Sequence, residues 1–208
     1  MNDQRDLALA WIRVGAMNTS SVQSVVFETA RLRLRRANTD DAEFFLDLLN
    51  QPSFLKHIGD KGVRTIQDAR EYLDSGPIAS YEKFGFGLWI IEQKETGNAI
   101  GICGLLKRDA LPDVDIGYAL LPQYWSNGYA AEAAAATLKY ARGVMGLRRI
   151  LAVTSLENQS SIRLLERLGF RFQKLIQLSD GAEQTRLFVS ELSEPSEKPT
   201  KEAKESSS

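Results

Sequence analysis

The chain has 208 residues, with Lys+Arg 26 against Asp+Glu 27 and a formal net charge of -1. That length fills one hydrophobic core rather than two, and the even charge balance argues against bulk attraction to nucleic acid, which needs a basic face. A single cysteine, Cys103, and a single histidine, His57, leave no room for a disulfide framework or a cysteine- or histidine-rich metal site, and no apolar run reaches the roughly 18 residues of a membrane-spanning helix.

Residues 1–25 read as an N-terminal extension. Leu7 to Met17 is apolar but carries Arg13 and follows two acids and a base, which makes a poor signal peptide, and Met17 is an alternative start. Arg31-Leu32-Arg33-Leu34-Arg35 alternates with period two and predicts a half-buried strand with its arginines on a solvated face. Thr39 or Asp40 caps a helix carrying Phe44, Phe45, Leu48 and Leu49, which Pro52 ends. Thr65 to Asp68 has the S/T-x-x-acid capping pattern of a second helix, stopping at Ser75-Gly76-Pro77. Phe86 to Glu92 and Ala99 to Lys107, joined by the polar turn Gln93 to Asn98, predict a hairpin of buried strands, and Val114 to Leu120 is a third apolar run.

A helix from about Tyr129 to Met145 follows, with Ala134, Leu138, Ala141 and Met145 at helical spacing. Arg149 to Thr154 is another strand. Asn158 caps a short helix with Ile162, Leu165 and Leu168 inward, and Gly169 closes it with a left-handed turn. Strands from Phe172 to Leu178 and from Gln184 to Glu191 complete a domain of residues 26–191. Residues 192–208, rich in charge, proline and serine, are expected to form a disordered tail, because they bury too little apolar surface to offset ordering entropy.

Pro122-Gln123-Tyr124-Trp125-Ser126-Asn127-Gly128 stops abruptly before the helix at Tyr129. A helix N-terminus carries unpaired N–H donors and a positive dipole end, which attract anions. Gly128 lets the backbone approach a ligand or take positive φ. Neither G-x-x-x-x-G-K-[ST] nor G-x-G-x-x-G is present here. Two readings fit: a loop that holds a pyrophosphate through main-chain groups, and a plain turn that starts a helix and binds nothing.

Gln123 to Ala130 resembles the Q/R-x-x-G-x-G/A signature of the GNAT acyl-CoA N-acyltransferases, with Ser126 where the signature has its first glycine. Thr29 to Arg35, Asp115-Ile116-Gly117-Tyr118, Ala130-Ala131-Glu132-Ala133 and Asn158 to Phe170 are similar to the branch of the ribosomal-protein-alanine N-acetyltransferases. The resemblance covers about residues 26–191. It implies an α/β (α+β) GNAT fold: a mixed central sheet of six to seven strands with helices on both faces. A splayed parallel pair, here Val114 to Leu120 and Arg149 to Thr154, would form the acyl-CoA cleft. It further implies an acetyl-CoA-dependent N-acetyltransferase with no metal. Ser126, Asn127, Gly128, Tyr129 and Ala130 would hold the pyrophosphate, with Gln123 at the edge. Main-chain groups near Leu120 and Leu121 would pair with the pantetheine arm, and a bulge there would aim the thioester. Asn158 would touch the pantetheine, cap its helix, or both.

Direct attack of an amine on a thioester sets three tasks: deprotonating the amine, stabilising the oxyanion and neutralising the thiolate. Asp115 is the candidate base, acting through water; the competing reading has its side chain face solvent or pair with an arginine. The tyrosine that many GNAT enzymes carry seven residues after the position of Asn158 is Leu165 here, so Ser161 is the candidate thiolate donor, with a local helix cap and solvent protonation as alternatives. Phe54, His57, Tyr81, Phe84 and Trp89 lie on segments that wall the acceptor side in relatives, and Cys103 reads as an inert buried thiol. The acceptor amine stays open among protein N-terminus, amino acid, polyamine and aminoglycoside. The rival to an enzyme is a non-catalytic acyl-CoA sensor, suggested by Ser126 and Leu165. The further expectations are a cytoplasmic location, no nucleic-acid or membrane partner, and a monomer or homodimer.

Overall fold

A computed structural model of the chain describes residues 24–192. The expected extension and tail therefore lie, apart from residues 24, 25 and 192, outside the described residues. The strands are β1 (Val25–Glu28), β2 (Leu32–Arg35), β3 (Leu88–Gln93), β4 (Ala99–Leu106), β5 (Asp115–Leu120), β6 (Arg149–Ser155), β7 (Arg171–Ile176) and β8 (Thr185–Glu191). They form one eight-stranded sheet in the order β1-β2-β3-β4-β5-β6-β8-β7. The strand beyond the expected six to seven is β1, four residues long with exposed ends, too short for its alternation to stand out.

All neighbours in this sheet run antiparallel except β5 and β6. That parallel pair meets at Asp115↔Leu151 and Ile116↔Ala152 and then diverges. Each diverging strand stays paired on its other side. β5 keeps β4 from Leu106↔Asp115 to Gly101↔Leu120, and β6 keeps β8 from Arg149↔Glu191 to Ser155↔Thr185. The gap thus separates two intact half-sheets, and its edges carry backbone groups with no strand partner. No register shift occurs between β4 and β5. The bulge expected near Leu120 and Leu121 is absent from that pairing, and divergence from β6 opens the cleft without it.

Among the described residues six α-helices cover the sheet: α1 (Ala42–Leu49), α2 (Pro52–His57), α3 (Ile66–Leu73), α4 (Ala79–Phe84), α5 (Tyr129–Gly143) and α6 (Gln159–Arg167). Strand side chains alternate between two layers, as the period of a strand requires. Trp89, Leu105 and Ile116 pack with Ala134, Leu138 and Leu165 of α5 and α6. Ile90 and Ile102 pack with Phe45, Leu48 and Leu73 of α1 and α3. The helices thus lie on both faces of the sheet.

Three local expectations change. Pro52 ends no segment; it opens α2 at the first turn, where its missing N–H is one of the helix's orphan donors anyway. The chain does not stop at Ser75-Gly76-Pro77. It passes through a π-helical turn, Asp74–Ile78, into α4, a wider turn that accommodates Pro77. Arg35 is not on a solvated face: it is 5% exposed. Its Nη1 and Nη2 donate to Asp41 at 3.0 and 2.8 Å, and its Nε donates to Glu92 at 3.0 Å.

Candidate active site

Helix α5 begins at Gly128, whose φ of 79° turns the chain into the helix, and no side chain caps its first turn. Ser126 takes φ 63°, the one non-glycine with positive φ among the described residues. The serine therefore adopts the left-handed conformation that glycine takes without cost. The loop is braced from outside. Arg31 Nη1 donates to the Asn127 carbonyl at 3.0 Å, and its guanidinium lies 4.6 Å from the Tyr129 ring centre. Trp125 Nε1 donates to the Leu120 carbonyl at 2.9 Å, and Asn127 Nδ2 donates to the Trp125 carbonyl at 3.0 Å.

Glu132 is the one acid in the first turn of α5. It accepts from Thr29 Oγ1 at 2.6 Å, from the Arg31 N–H at 3.0 Å and from Arg31 Nε at 2.7 Å. Burial pulls its carboxyl upward, but these donors outweigh that and hold it below its ordinary value. Its charge is consumed by Arg31, and the helix tip keeps its own positive end for an incoming anion.

A cavity of about 520 Å³ joins this tip to the other side of the sheet. Ser126, Gly128, Tyr129 and Ala130 form one wall, with Tyr118, Ala119 and Leu120 of β5 beside them. Asn158, Ser161 and Leu164 come from the start of α6, and Arg163 and Arg167 from its outer face. Leu48, Phe54, His57 and Ile58 close the far end from α1, α2 and the turn after it. None of the described residues lining the cavity is aspartate or glutamate.

Of the residues expected at the site, Leu120, Ser126, Gly128, Tyr129, Ala130, Asn158 and Ser161 meet in this cavity. Leu121, Gln123, Asn127 and Asp115 do not. The Leu121 N–H is used by the Ile100 carbonyl at 3.0 Å, and its side chain packs in the α1–α3 layer. Leu120 packs in the opposite layer, with α5 and α6. Gln123 is exposed on the short 3-10 turn Pro122–Tyr124, and Asn127 faces Trp125 and Arg31.

Asp115 is fully buried at the closed end of the β5–β6 pair, with both carboxylate oxygens 3.1 Å from Arg108 Nε. Burial pushes its pKa up to about 6, against the pull of Arg108. The arginine pairing weighed against the base role is the one observed.

Asn158 caps α6, accepting from the Ser161 N–H at 3.0 Å. Of the expected acceptor-side residues, Phe54 and His57 line the cavity, and His57 Nδ1 lies 3.0 Å from Ser155 Oγ at the end of β6. Trp89 is core, packed edge-on to Phe27 and Tyr140. Tyr81 is buried, accepting from the Ala37 N–H and donating to the Leu88 carbonyl, and Phe84 stacks on Phe86. Cys103 is fully buried against Thr137 Oγ1 at 3.4 Å, and burial pushes its thiol up to about 12.

Tyr118 was not anticipated. Its hydroxyl lies 2.9 Å from Ser161 Oγ, and burial pushes the phenol up to about 12 while Ser161 pulls it down. Period-two spacing from Leu120 was the available signal, since it puts Tyr118 on the same strand face. Among the described residues no group of His, Cys, Asp and Glu is placed to hold a metal, and no helix is long and apolar enough to cross a membrane.

Comparison with known proteins bears on the family and the fold. Residues 31–171 match the family model described as an acetyltransferase (GNAT) domain. The uncharacterized N-acetyltransferase YoaA of Bacillus subtilis is 31% identical over 150 residues, covering 70% of this chain and 82% of its own. The crystal structure of an acetyltransferase from Agrobacterium tumefaciens superposes with a TM-score of 0.67 at 25% identity, over 79% of this chain and 92% of that one. The fold alone is shared with the microcin C7 self-immunity acetyltransferase MccE, solved with acetyl-CoA and AMP, at TM-score 0.65 and 19% identity, over 78% of this chain and 93% of that one.

Proposed function

The chain belongs to the GNAT acetyltransferase family, and from that premise we propose that it transfers an acetyl group from acetyl-CoA to a primary amine by direct attack. One observation carries this reading. A single cavity runs from the uncapped tip of α5, through the mouth of the β5–β6 gap, to the α1–α2 side. The donor set fits the coenzyme. The amides of Gly128, Tyr129 and Ala130 suit its pyrophosphate, and the unpaired edge of β5 suits the amide-bearing pantetheine arm. The free cations Arg163 and Arg167 suit its remaining charge, with Asn158 and Ser161 beside the arm.

The reaction joins the amine nitrogen to the acetyl carbon and breaks the C–S bond. The protein's work is alignment plus hydrogen bonding where charge builds. The carboxylate-free lining bears on the acceptor. An amine with pKa near 10.4 is free at pH 7 to less than roughly one part in a thousand, and among the described lining residues it would meet neither an acidic counter-charge nor a carboxylate base. A terminal α-amine, with pKa about 7.7–8.0, is already roughly a tenth free. We therefore favour an α-amine, on a peptide N-terminus or a small molecule, over a polyamine or aminoglycoside. Such an acceptor needs no contact with Asp115; cleft water suffices.

The test is thiol release on incubation with acetyl-CoA and an amine panel spanning N-terminal peptides, amino acids, spermidine and an aminoglycoside. Release with α-amines and none with polycations is the expected result. The sensor reading draws on Leu165, which is buried and cannot donate a proton. Binding of acetyl-CoA with no release from any amine would establish it instead.

A further inference from the structure

We propose that Tyr118 is a catalytic residue that, paired with Ser161, delivers a proton to the departing coenzyme sulfur; this rests on the acetyl-transfer reading above. Tyr118 stands two residues beyond Ile116, the last residue of β5 with a partner on β6. Its hydroxyl reaches out of β5 to α6, the element that follows β6, and meets Ser161 Oγ at 2.9 Å. The pair therefore bridges from one side of the gap to the other near its narrow end. A thioester arm threaded between the strands passes this bridge.

Ser161 is itself fixed, because its N–H donates to Asn158 Oδ1 at 3.0 Å. Its hydroxyl has one close partner, Tyr118, and the phenol's other contact is a long 3.5 Å approach to the Ser161 carbonyl. Two hydroxyls that share one short hydrogen bond leave one O–H proton to give away. Both residues line the cavity, whereas Leu165, one turn further along α6, is 1% exposed and apolar. A phenol is protonated across the neutral range, and burial, which raises its pKa, makes it give up the proton only as charge builds on sulfur.

The step balances as follows. The amine nitrogen bonds to the acetyl carbon, and the carbonyl electrons move onto oxygen. On collapse the C=O bond reforms and the C–S pair goes to sulfur. Sulfur takes a hydrogen bond and then a proton from the hydroxyl pair. The pair regains that proton, through cleft water, from the nitrogen that became cationic on attack. No phenolate accumulates, and no external acid is consumed.

The experiment compares wild type, Tyr118→Phe, Ser161→Ala and the double variant, using acetyl-CoA and the best amine of the panel. Acetyl-CoA affinity by calorimetry and the melting temperature are followed in parallel. Tyr118→Phe is expected to lower kcat by about 10²-fold or more. Its KM for acetyl-CoA and its coenzyme affinity should stay within about twofold of wild type. The double variant should be no slower than about the slower single variant, because the two hydroxyls act as one unit. Tyr118→Phe turning over within about threefold of wild type would overturn the proposal, as would a loss confined to KM or to coenzyme affinity. Were wild type itself to release no thiol with any amine, the transfer reading would fall and this one with it. An active wild type with an equally active Tyr118→Phe sinks this one alone.

Discussion

Ser126 offers the most direct test of how the α5 tip is built. A non-glycine residue in the left-handed region costs roughly 1–2 kcal/mol, and Ser126 sits there at φ 63°. Ser126→Gly removes that cost but returns about 0.4–1 kcal/mol of unfolded-chain entropy. The net is a gain of between about 0 and 1.6 kcal/mol, a rise in melting temperature of at most ~6 °C for a domain of this size. If the loop acts through its backbone, acetyl-CoA affinity in Ser126→Gly should stay within about threefold of wild type. Ser126→Val is the opposite perturbation, since a β-branched residue at this φ is an outlier. With about 1–2 kcal/mol forced into the loop, the bound conformation is lost from the free ensemble, and affinity should fall about tenfold per 1.4 kcal/mol. Isothermal titration with acetyl-CoA and a thermal melt read both effects. Valine binding as tightly as serine would refute the need for a left-handed residue. A tenfold loss in the glycine variant would show that the hydroxyl, rather than the backbone, makes the contact.

Arg35→Ala should destabilise the domain by about 3–5 kcal/mol in urea titration, because it strands the buried carboxylate of Asp41 and leaves Glu92 with Arg33 alone; a loss below about 1 kcal/mol would argue that water reaches Asp41. Asp115 has a folded pKa of about 6, raised from an ordinary value of 3.8. The folded state thus holds the proton more tightly, and this stabilisation is complete below about pH 4 and lost as pH rises through 6. About two pKa units correspond to ~3 kcal/mol. Asp115→Asn should therefore gain on wild type by about that amount between pH 4 and pH 7, and a pH-independent difference would contradict the assignment. Gly104→Ala would put a Cβ 2.0 Å from the Gly87 carbonyl and 2.9 Å from Leu88 Cα. Backbone cannot yield cheaply there, and a loss of at least about 3 kcal/mol, or failure to accumulate folded protein, is expected.

Local rules carried most of the secondary structure. One period-two run, Arg31 to Arg35, and apolar runs elsewhere located seven strands, and the Thr65 and Asn158 caps are formed by the side chains expected. The same rules misjudged which faces are covered. Arg35 alternates like a solvated residue, yet the turn before α1 supplies Asp41 and the adjacent strand β3 supplies Glu92. Proline was read as a terminator at Pro52 and Pro77, whereas its restricted φ also suits a helix start and a wide turn. At the site, motif spacing is local, and Ser126, Gly128, Tyr129, Ala130 and Asn158 line the cavity. Leu121, one residue beyond β5, packs away from the cavity, and its N–H is taken by the Ile100 carbonyl, a contact that motif spacing does not state. The Tyr118–Ser161 contact joins residues 43 positions apart, and no local pattern states that two such elements converge.

The β5–β6 junction also behaves as a lever. Two residue pairs form its fulcrum, and the four residues from Gly117 to Leu120 extend about 13 Å beyond it. A rotation of about 5° between the half-sheets therefore moves the mouth by roughly 1 Å while shifting the fulcrum hardly at all. Substitutions packed around Ile116 and Ala152 should consequently alter which acyl chains enter, although none of them touches the acyl group.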